Sequence, residues 1–142
     1  MKRLLLFSAL ALAAHLPAQA QQYTTYTLTS HTNTVPASST DTVASNAIGL
    51  TKYNNAAVQV QFQGSAADTG NVTFSFVRSQ NGSSYDTVPL TFVVPANGTT
   101  AVRASTNYQF GATGYLKLLS IANAATNSVT NIVIRVTLKP GL

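Results

Sequence analysis

The chain contains no cysteine, no tryptophan and no glutamate, and only three of its 142 residues are acidic. Without cysteine there can be no disulfide, so packing alone must hold the fold together. A thiol nucleophile is excluded, and zinc lacks the thiolate and clustered histidine ligands that it prefers. These absences remove several enzyme and metalloprotein classes before any motif is considered.

The remaining catalytic groups are few. After the first 20 residues the chain has one histidine, His31, and three aspartates, Asp41, Asp68 and Asp86. A Ser–His–Asp relay would have to use His31, and its surroundings do not resemble a nucleophile elbow. The aspartates lie in turn-like sequence, where the carboxylate commonly caps nearby backbone N–H groups. The sequence predicts a protein that is not an enzyme and has no catalytic residue and no cofactor.

Calcium is the one metal with a conceivable set of ligands. Asp68 with Asn71, or Asn81 with Asp86, could lend oxygens to this ion. Calcium takes six to eight such ligands, and neither stretch is dense enough to supply them. We therefore predict turns at both places and no metal site.

The first 20 residues have the three parts of a secretory signal peptide. Lys2 and Arg3 form a positive start, Leu4 to Leu16 an apolar run, and Ala18-Gln-Ala20 a small-x-small cleavage site. The apolar run is too short to span a bilayer. The sequence predicts cleavage before Gln21 and a single domain over residues 21–142. It also predicts a secreted protein that is periplasmic, on the cell surface or extracellular.

The predicted mature chain carries little charge. Six Lys and Arg against three Asp leave a net charge of +3, and no later run is apolar enough to span a membrane. The cations are scattered, so no nucleic-acid groove is indicated. Few charges give little resistance to self-association, which favours another copy or another extracellular protein as the partner. The six cations are Lys52, Arg78, Arg103, Lys117, Arg135 and Lys139.

The best-patterned stretch runs from Ala57 to Val94. Apolar and polar residues alternate from Val58 to Gln63 and again from Val72 to Phe76, as in strands with one wet face. The sequence predicts three antiparallel strands joined by tight turns at 64–70 and at Asn81-Gly82. Its third strand, Tyr85 to Val94, contains Pro89, which predicts a bulge or a sheet edge.

Further strands are predicted on both sides of this stretch. The sequence indicates strands over 23–30, 42–51, 99–104, 115–122 and 132–139, with loops over 31–40 and 105–114. No segment after the first 20 residues has a convincing helical pattern. The fold class is therefore all-β, an antiparallel β-sandwich or jelly roll of about eight to nine strands.

Two sets of residues are candidates for binding. Tyr108 and Phe110 in the predicted 105–114 loop could contact a neutral polysaccharide, although tyrosines in sandwiches are more often half-buried strand residues. Tyr23, Tyr26 and Leu28 belong to a first strand whose edge could pair with another copy. A self-assembly or attachment subunit is the leading interpretation, and a lectin-like module is the alternative.

Two segments carry a resemblance. Phe76 to Thr87 (FVRSQNGSSYDT) is similar to the S-x-[D/N]-G-x-x-aromatic hairpin of small β-sandwich modules in phage structural proteins and secreted bacterial proteins. Tyr115 to Asn123 (YLKLLSIAN) resembles a later core strand of such modules. The resemblance implies a β-sandwich used for assembly or attachment, and it implies no catalytic residue.

Overall fold

The computed structural model describes residues 23–31, 34–43, 45–98, 101–110 and 114–140. The predicted signal peptide, residues 1–20, lies outside them. The described residues form nine β-strands and no helix. In chain order these are β1 (Thr24–His31), β2 (Ser39–Thr42), β3 (Ile48–Gly49), β4 (Tyr53–Gln63), β5 (Asn71–Ser79), β6 (Leu90–Pro95), β7 (Val102–Gln109), β8 (Tyr115–Asn123) and β9 (Thr130–Pro140).

The strands form two antiparallel sheets. Sheet 1 has the order β1-β9-β4-β7, and sheet 2 has the order β2-β8-β5-β6, with β3 also pairing with β8. The predicted all-β class, the antiparallel sandwich and the number of strands are confirmed. The jelly-roll form in particular stays a prediction.

The core lies between the inner faces of the two sheets. Phe62 of β4 and Phe74 of β5 come from opposite sheets, and their ring centroids are 6.0 Å apart. Both side chains are fully buried, as are Ile134 of β9 and Leu116 of β8. Burial of this apolar surface must supply the stability, because no disulfide is available.

The predicted three-stranded unit over 57–94 is wrong in its first connection. β4 and β5 belong to different sheets, so segment 64–70 crosses the sandwich instead of turning a hairpin. This segment is held by backbone contacts with the segment after β6: Gly64 N–H donates to the Gly98 carbonyl, and Ser65 bridges to Asn97. Alternation shows which face of a strand is buried but does not show which strand lies beside it.

The second connection is also longer than predicted. β5 and β6 do pair, with Phe76 opposite Leu90, but a ten-residue loop joins them. In this loop the Asn81 side-chain oxygen accepts bonds from the N–H groups of Ser83 and Ser84, and only Gly82 has a positive φ. A two-residue hairpin would need positive φ at both Asn81 and Gly82. The edge position predicted for the third strand is confirmed, since β6 ends sheet 2.

Other strand bounds shift between prediction and structure. The predicted 42–51 strand contains only the last residue of β2 and the short strand β3, and β2 begins in the predicted 31–40 loop. Residues 105–109 of the predicted 105–114 loop belong to β7. Residues 111–113 of that loop lie outside the described residues. The first strand and the last two are confirmed within one or two residues.

A buried polar network joins three loops at one end of the sandwich. Asp68 accepts four hydrogen bonds, from Ser65 N–H, Thr126 Oγ1, and both the backbone N–H and the side chain of Asn127. Asn123, which is 1% exposed, donates to the carbonyls of Val35 and Asn127. Both carboxylate oxygens of Asp68 and both polar atoms of the Asn123 amide are bonded, so these two buried side chains fix the loops.

No described segment forms a helix of the length and apolarity that a membrane crossing requires.

A candidate binding surface on sheet 1

Sheet 1 ends in a long edge strand on each side. β1 and β7 each have eight residues, and within the described strands each pairs with one neighbour only. β7 pairs with β4 without a register shift, whereas β1 has a bulge between Thr27 and Thr29. The edges of sheet 2 are shorter, because β2 has four residues and β6 is a six-residue strand that follows Pro89 and ends at Pro95.

The outer face of sheet 1 is a regular array of polar side chains. Pairing across the strands places Ser105, Gln59 and Arg135 side by side, and Asn107, Ala57 and Thr137 in the next row. Neighbouring strands lie about 4.8 Å apart, and successive rows about 6.7 Å apart. The alternation within β4, β7 and β9 therefore turns one face of each strand inwards and presents amides, hydroxyls and cations on the other.

Half of the six cations after residue 20 lie on this face. They are Arg103 of β7 and Arg135 and Lys139 of β9. Arg103 is oriented by its neighbour, because its Nε donates to Gln61 Oε1 at 3.1 Å. The central rows of the outer face of sheet 2 instead hold small uncharged residues, such as Thr73 between Ala122 and Val93. The two outer faces therefore differ in chemistry.

An open groove of about 360 Å³ lies at one end of the sheet 1 face. Ala57 lines it, and the small side chain leaves a depression between the longer residues of adjacent strands. Tyr23, which is 58% exposed, and Lys139 also line it. Its other polar lining residues are Asn55, Asn107, Gln109 and Thr137.

Tyr108, a candidate from the sequence, borders the same groove but is also a structural residue. It lies in β7, and its ring centroid is 5.9 Å from that of Phe110 and 6.4 Å from that of Phe76. Its hydroxyl donates a hydrogen bond to the Thr91 carbonyl of sheet 2. Burial raises the pKa of the Tyr108 phenol above its ordinary value. Phe110 is only 4% exposed, so its ring is covered. Ligand binding by these two residues stays a prediction.

Replacing Tyr108 by Phe tests this structural contact. Loss of the bond to Thr91 should lower the free energy of unfolding by about 0.5–1.5 kcal/mol. Since the folded-state pKa is raised, the native protein holds this proton more tightly than the unfolded chain does. The wild type should therefore lose stability as the pH rises above 10.0, and the variant should lose less. Urea unfolding at pH 7 and pH 10.5 measures both effects, and equal pH dependence would contradict the assignment.

The three edge-strand candidates have different surroundings. Tyr23 and Tyr26 are exposed, at 58% and 41%, whereas Leu28 is 6% exposed and packs in the core. β1 is an edge strand as predicted, but whether it mediates assembly is not tested by the fold. Sequence reasoning missed Arg103, Arg135 and Lys139 as one surface, because only the sheet order brings β7 and β9 to the two sides of β4.

The described residues hold no group of three or more His, Cys, Asp or Glu side chains placed to bind a metal ion.

No family model matches the chain, and no curated protein matches it. Among solved structures, one similar chain is a pilus protein of Bacillus endospore appendages, with 12% identity and a TM-score of 0.36 over 86% of this chain and 92% of that one. Another is the PRD1 vertex protein P5, with 12% identity and a TM-score of 0.44 over 83% of this chain and 94% of that one. A third is the sugar-binding C-terminal domain of EclA, with 9% identity and a TM-score of 0.35 over 90% of this chain and 86% of that one. All three are small β modules, which agrees with the resemblance in the sequence, and they leave its hairpin motif untested. Overlaps at these TM-scores carry no information on function.

Proposed function

We propose that the protein is an exported, non-enzymatic subunit that assembles with copies of itself outside the cytoplasm. The observation that carries the proposal is that sheet 1 ends in two long edge strands, β1 and β7, each of which pairs on one side only among the described strands. Such edges present backbone N–H and C=O groups that a strand from another molecule can pair with.

The directions of these two edges suit head-to-tail pairing. Each neighbouring pair in the order β1-β9-β4-β7 is antiparallel, so β1 and β7 run in opposite directions. The β7 strand of one copy beside the β1 strand of the next would extend the antiparallel sheet without reversing its alternation. Pairing of two different edges is heterologous, so it generates an open filament, or a ring where the rotation between copies closes, rather than a two-fold dimer.

The charges of the two edges do not oppose this pairing. Arg103 is the single formal charge in β7 and β1 has none at neutral pH, so no like charges would face each other. The bulge in β1 limits regular pairing to its first half, Thr24 to Thr27.

Engineered cysteines test the proposal directly, because the chain has none of its own. Thr25→Cys and Ser105→Cys place one thiol on each edge, on the outer face of sheet 1. After mild oxidation the double variant should give a ladder of disulfide-linked multimers on a non-reducing gel, and the two single variants should cross-link when mixed. Thr27→Cys and Asn107→Cys sample pairing shifted by two residues.

The control combines Thr25→Cys with Thr91→Cys, which lies on the β6 edge of sheet 2 and should give no ladder. Light scattering and negative-stain microscopy of the exported wild type should show multimers or filaments. A strict monomer at high concentration, or cross-linking between Ser105→Cys chains alone, would overturn head-to-tail assembly.

A carbohydrate-binding module is the second candidate. The groove beside Tyr23 favours it, because amide and hydroxyl side chains converge there with an exposed aromatic ring. A glycan array separates the two functions, since a subunit that only assembles binds none of the glycans.

A further inference from the structure

We propose that the outer face of sheet 1 binds an acidic polysaccharide, with Arg135 and Lys139 contacting its carboxylates. The inference rests on the second candidate function, and it names a different ligand class from the neutral polymer that the sequence suggests. It is independent of self-assembly, which uses the strand edges rather than the face.

The charge distribution indicates an external anion. None of the three acidic residues of the chain lies on this face. Asp41 is in β2 of sheet 2, Asp68 is buried in the loop network, and Asp86 pairs with Arg78 at 3.0 Å. A second copy of the chain therefore offers no exposed acidic patch that could neutralise the face, and a ligand that carries its own negative charge fits it better.

The spacing of the cations indicates an extended ligand. Arg135 and Lys139 are four residues apart on β9 and face the same way, which separates their backbone positions by about 13 Å. Arg103 lies two strands away from β9, on the far side of β4. A polymer with a repeated negative charge can contact all three cations while their side chains extend away from the sheet.

The residues between the cations favour a sugar polymer over other polyanions. Gln59, Asn107 and Thr137 can donate to and accept from hydroxyl groups, which a phosphate backbone lacks. Gln61 fixes the Nε of Arg103, so the two terminal nitrogens of that guanidinium stay available for a carboxylate. The exposed ring of Tyr23 at the groove adds a surface on which a sugar ring can stack.

The test compares three polymers against the exported protein by titration calorimetry: polygalacturonate, its neutral methyl ester, and double-stranded DNA. Polygalacturonate should bind, and added salt should lower its affinity. The other two polymers should bind at least about tenfold more weakly. Arg135→Gln should weaken binding by about fivefold or more, since it removes a charge-assisted contact. Lys117→Gln removes the same charge from sheet 2 and should leave the affinity within about twofold.

Thermal melting of both variants shows that each is folded. Equal affinity for the methyl ester would overturn the acidic ligand while leaving a neutral carbohydrate module intact. Equal losses in Arg135→Gln and Lys117→Gln, or equally tight binding of DNA, would show an effect of net charge alone and overturn the site. Binding to no polymer would overturn this inference, whereas the glycan array would still decide the second candidate function and self-assembly would be unaffected.

Discussion

Asp68→Ala should lower the melting temperature by on the order of 10 °C, because it removes the acceptor of four hydrogen bonds in the loop network. The donors belong to two different loops, at Ser65 and at Thr126 and Asn127. Without the carboxylate these N–H and O–H groups are left without their acceptor in a place that water reaches poorly, since Asp68 is only 5% exposed. Calorimetry at pH 7 measures the change.

The same carboxylate should make the wild type sensitive to acid. The Ser65 N–H, 2.7 Å from Asp68 Oδ2, holds the pKa of this carboxyl below its ordinary value of 3.8 against the opposing effect of burial, and bonds from Asn127 and Thr126 add to the lowering. A lowered folded-state pKa gives stability that is present above pH 3.8 and is lost as the pH falls below it. The melting temperature should therefore drop between pH 4 and pH 2 by more in the wild type than in Asp68→Ala.

Asp86→Ala is the matched control for this substitution. Its carboxylate is exposed and contacts only the Arg78 guanidinium among the hydrogen bonds of the described residues. Exposed ion pairs contribute little, so the melting temperature should change by less than about 3 °C. Equal effects of the two substitutions would contradict a structural role for the Asp68 network.

Gly70→Ala should destabilise the fold by about 3 kcal/mol, through backbone strain and a steric clash. Gly70 has φ +115°, a conformation that residues with a side chain rarely adopt, and an added Cβ would lie 2.5 Å from the Ala124 carbonyl oxygen. Its own carbonyl accepts the Ala96 N–H at 3.1 Å, so the segment cannot shift freely. Such a loss is a large part of the stability of a small domain.

Gly49→Ala is the control for this effect. An added Cβ at Gly49 meets nothing within 4 Å, and its φ lies outside the left-handed region. Alanine at such a position should be neutral or stabilise by about 0.4–1 kcal/mol, because it restricts the unfolded chain. Urea unfolding of both variants checks the contrast, and an equal response would show that general glycine replacement, not the geometry at Gly70, sets the cost.

The sequence predicts which segments are strands better than it predicts how they pair. Alternation identified β1 and β9, and the length and flanking residues of the apolar run 115–122 identified β8. Leu28, Leu116 and Ile134 of these strands are buried in the core. Alternation could not show that β4 and β5 lie in different sheets, because hairpins and crossings between sheets both contain small and turn-forming residues. The reason for the crossing is tertiary: Ser65 pairs with Asn97, which follows β6 in the chain.

The candidate binding surface on sheet 1 could not be predicted from the sequence for a similar reason. Val102, Ala104 and Thr106 alternate with polar residues as they do in a strand, but their weak hydrophobicity made the second part of β7, residues 105–109, resemble a loop. Tyr108 and Phe110 were then assigned to a loop, whereas Tyr108 lies in β7 and Phe110 directly follows it. The basic residues of β7 and β9 form one surface only because β4 lies between those strands, and nothing local in the chain specifies this order.

Pairing of the first strand with the last constrains how the protein can fold. β9 lies between β1 and β4, so sheet 1 cannot be completed until residues 130–140 have been synthesised. Contacts between such distant parts of a chain form slowly, because the intervening loop must first be closed. The fold therefore stays incomplete until β9 has been synthesised, and a chain with the predicted signal peptide would be threaded across a membrane in an incompletely folded state.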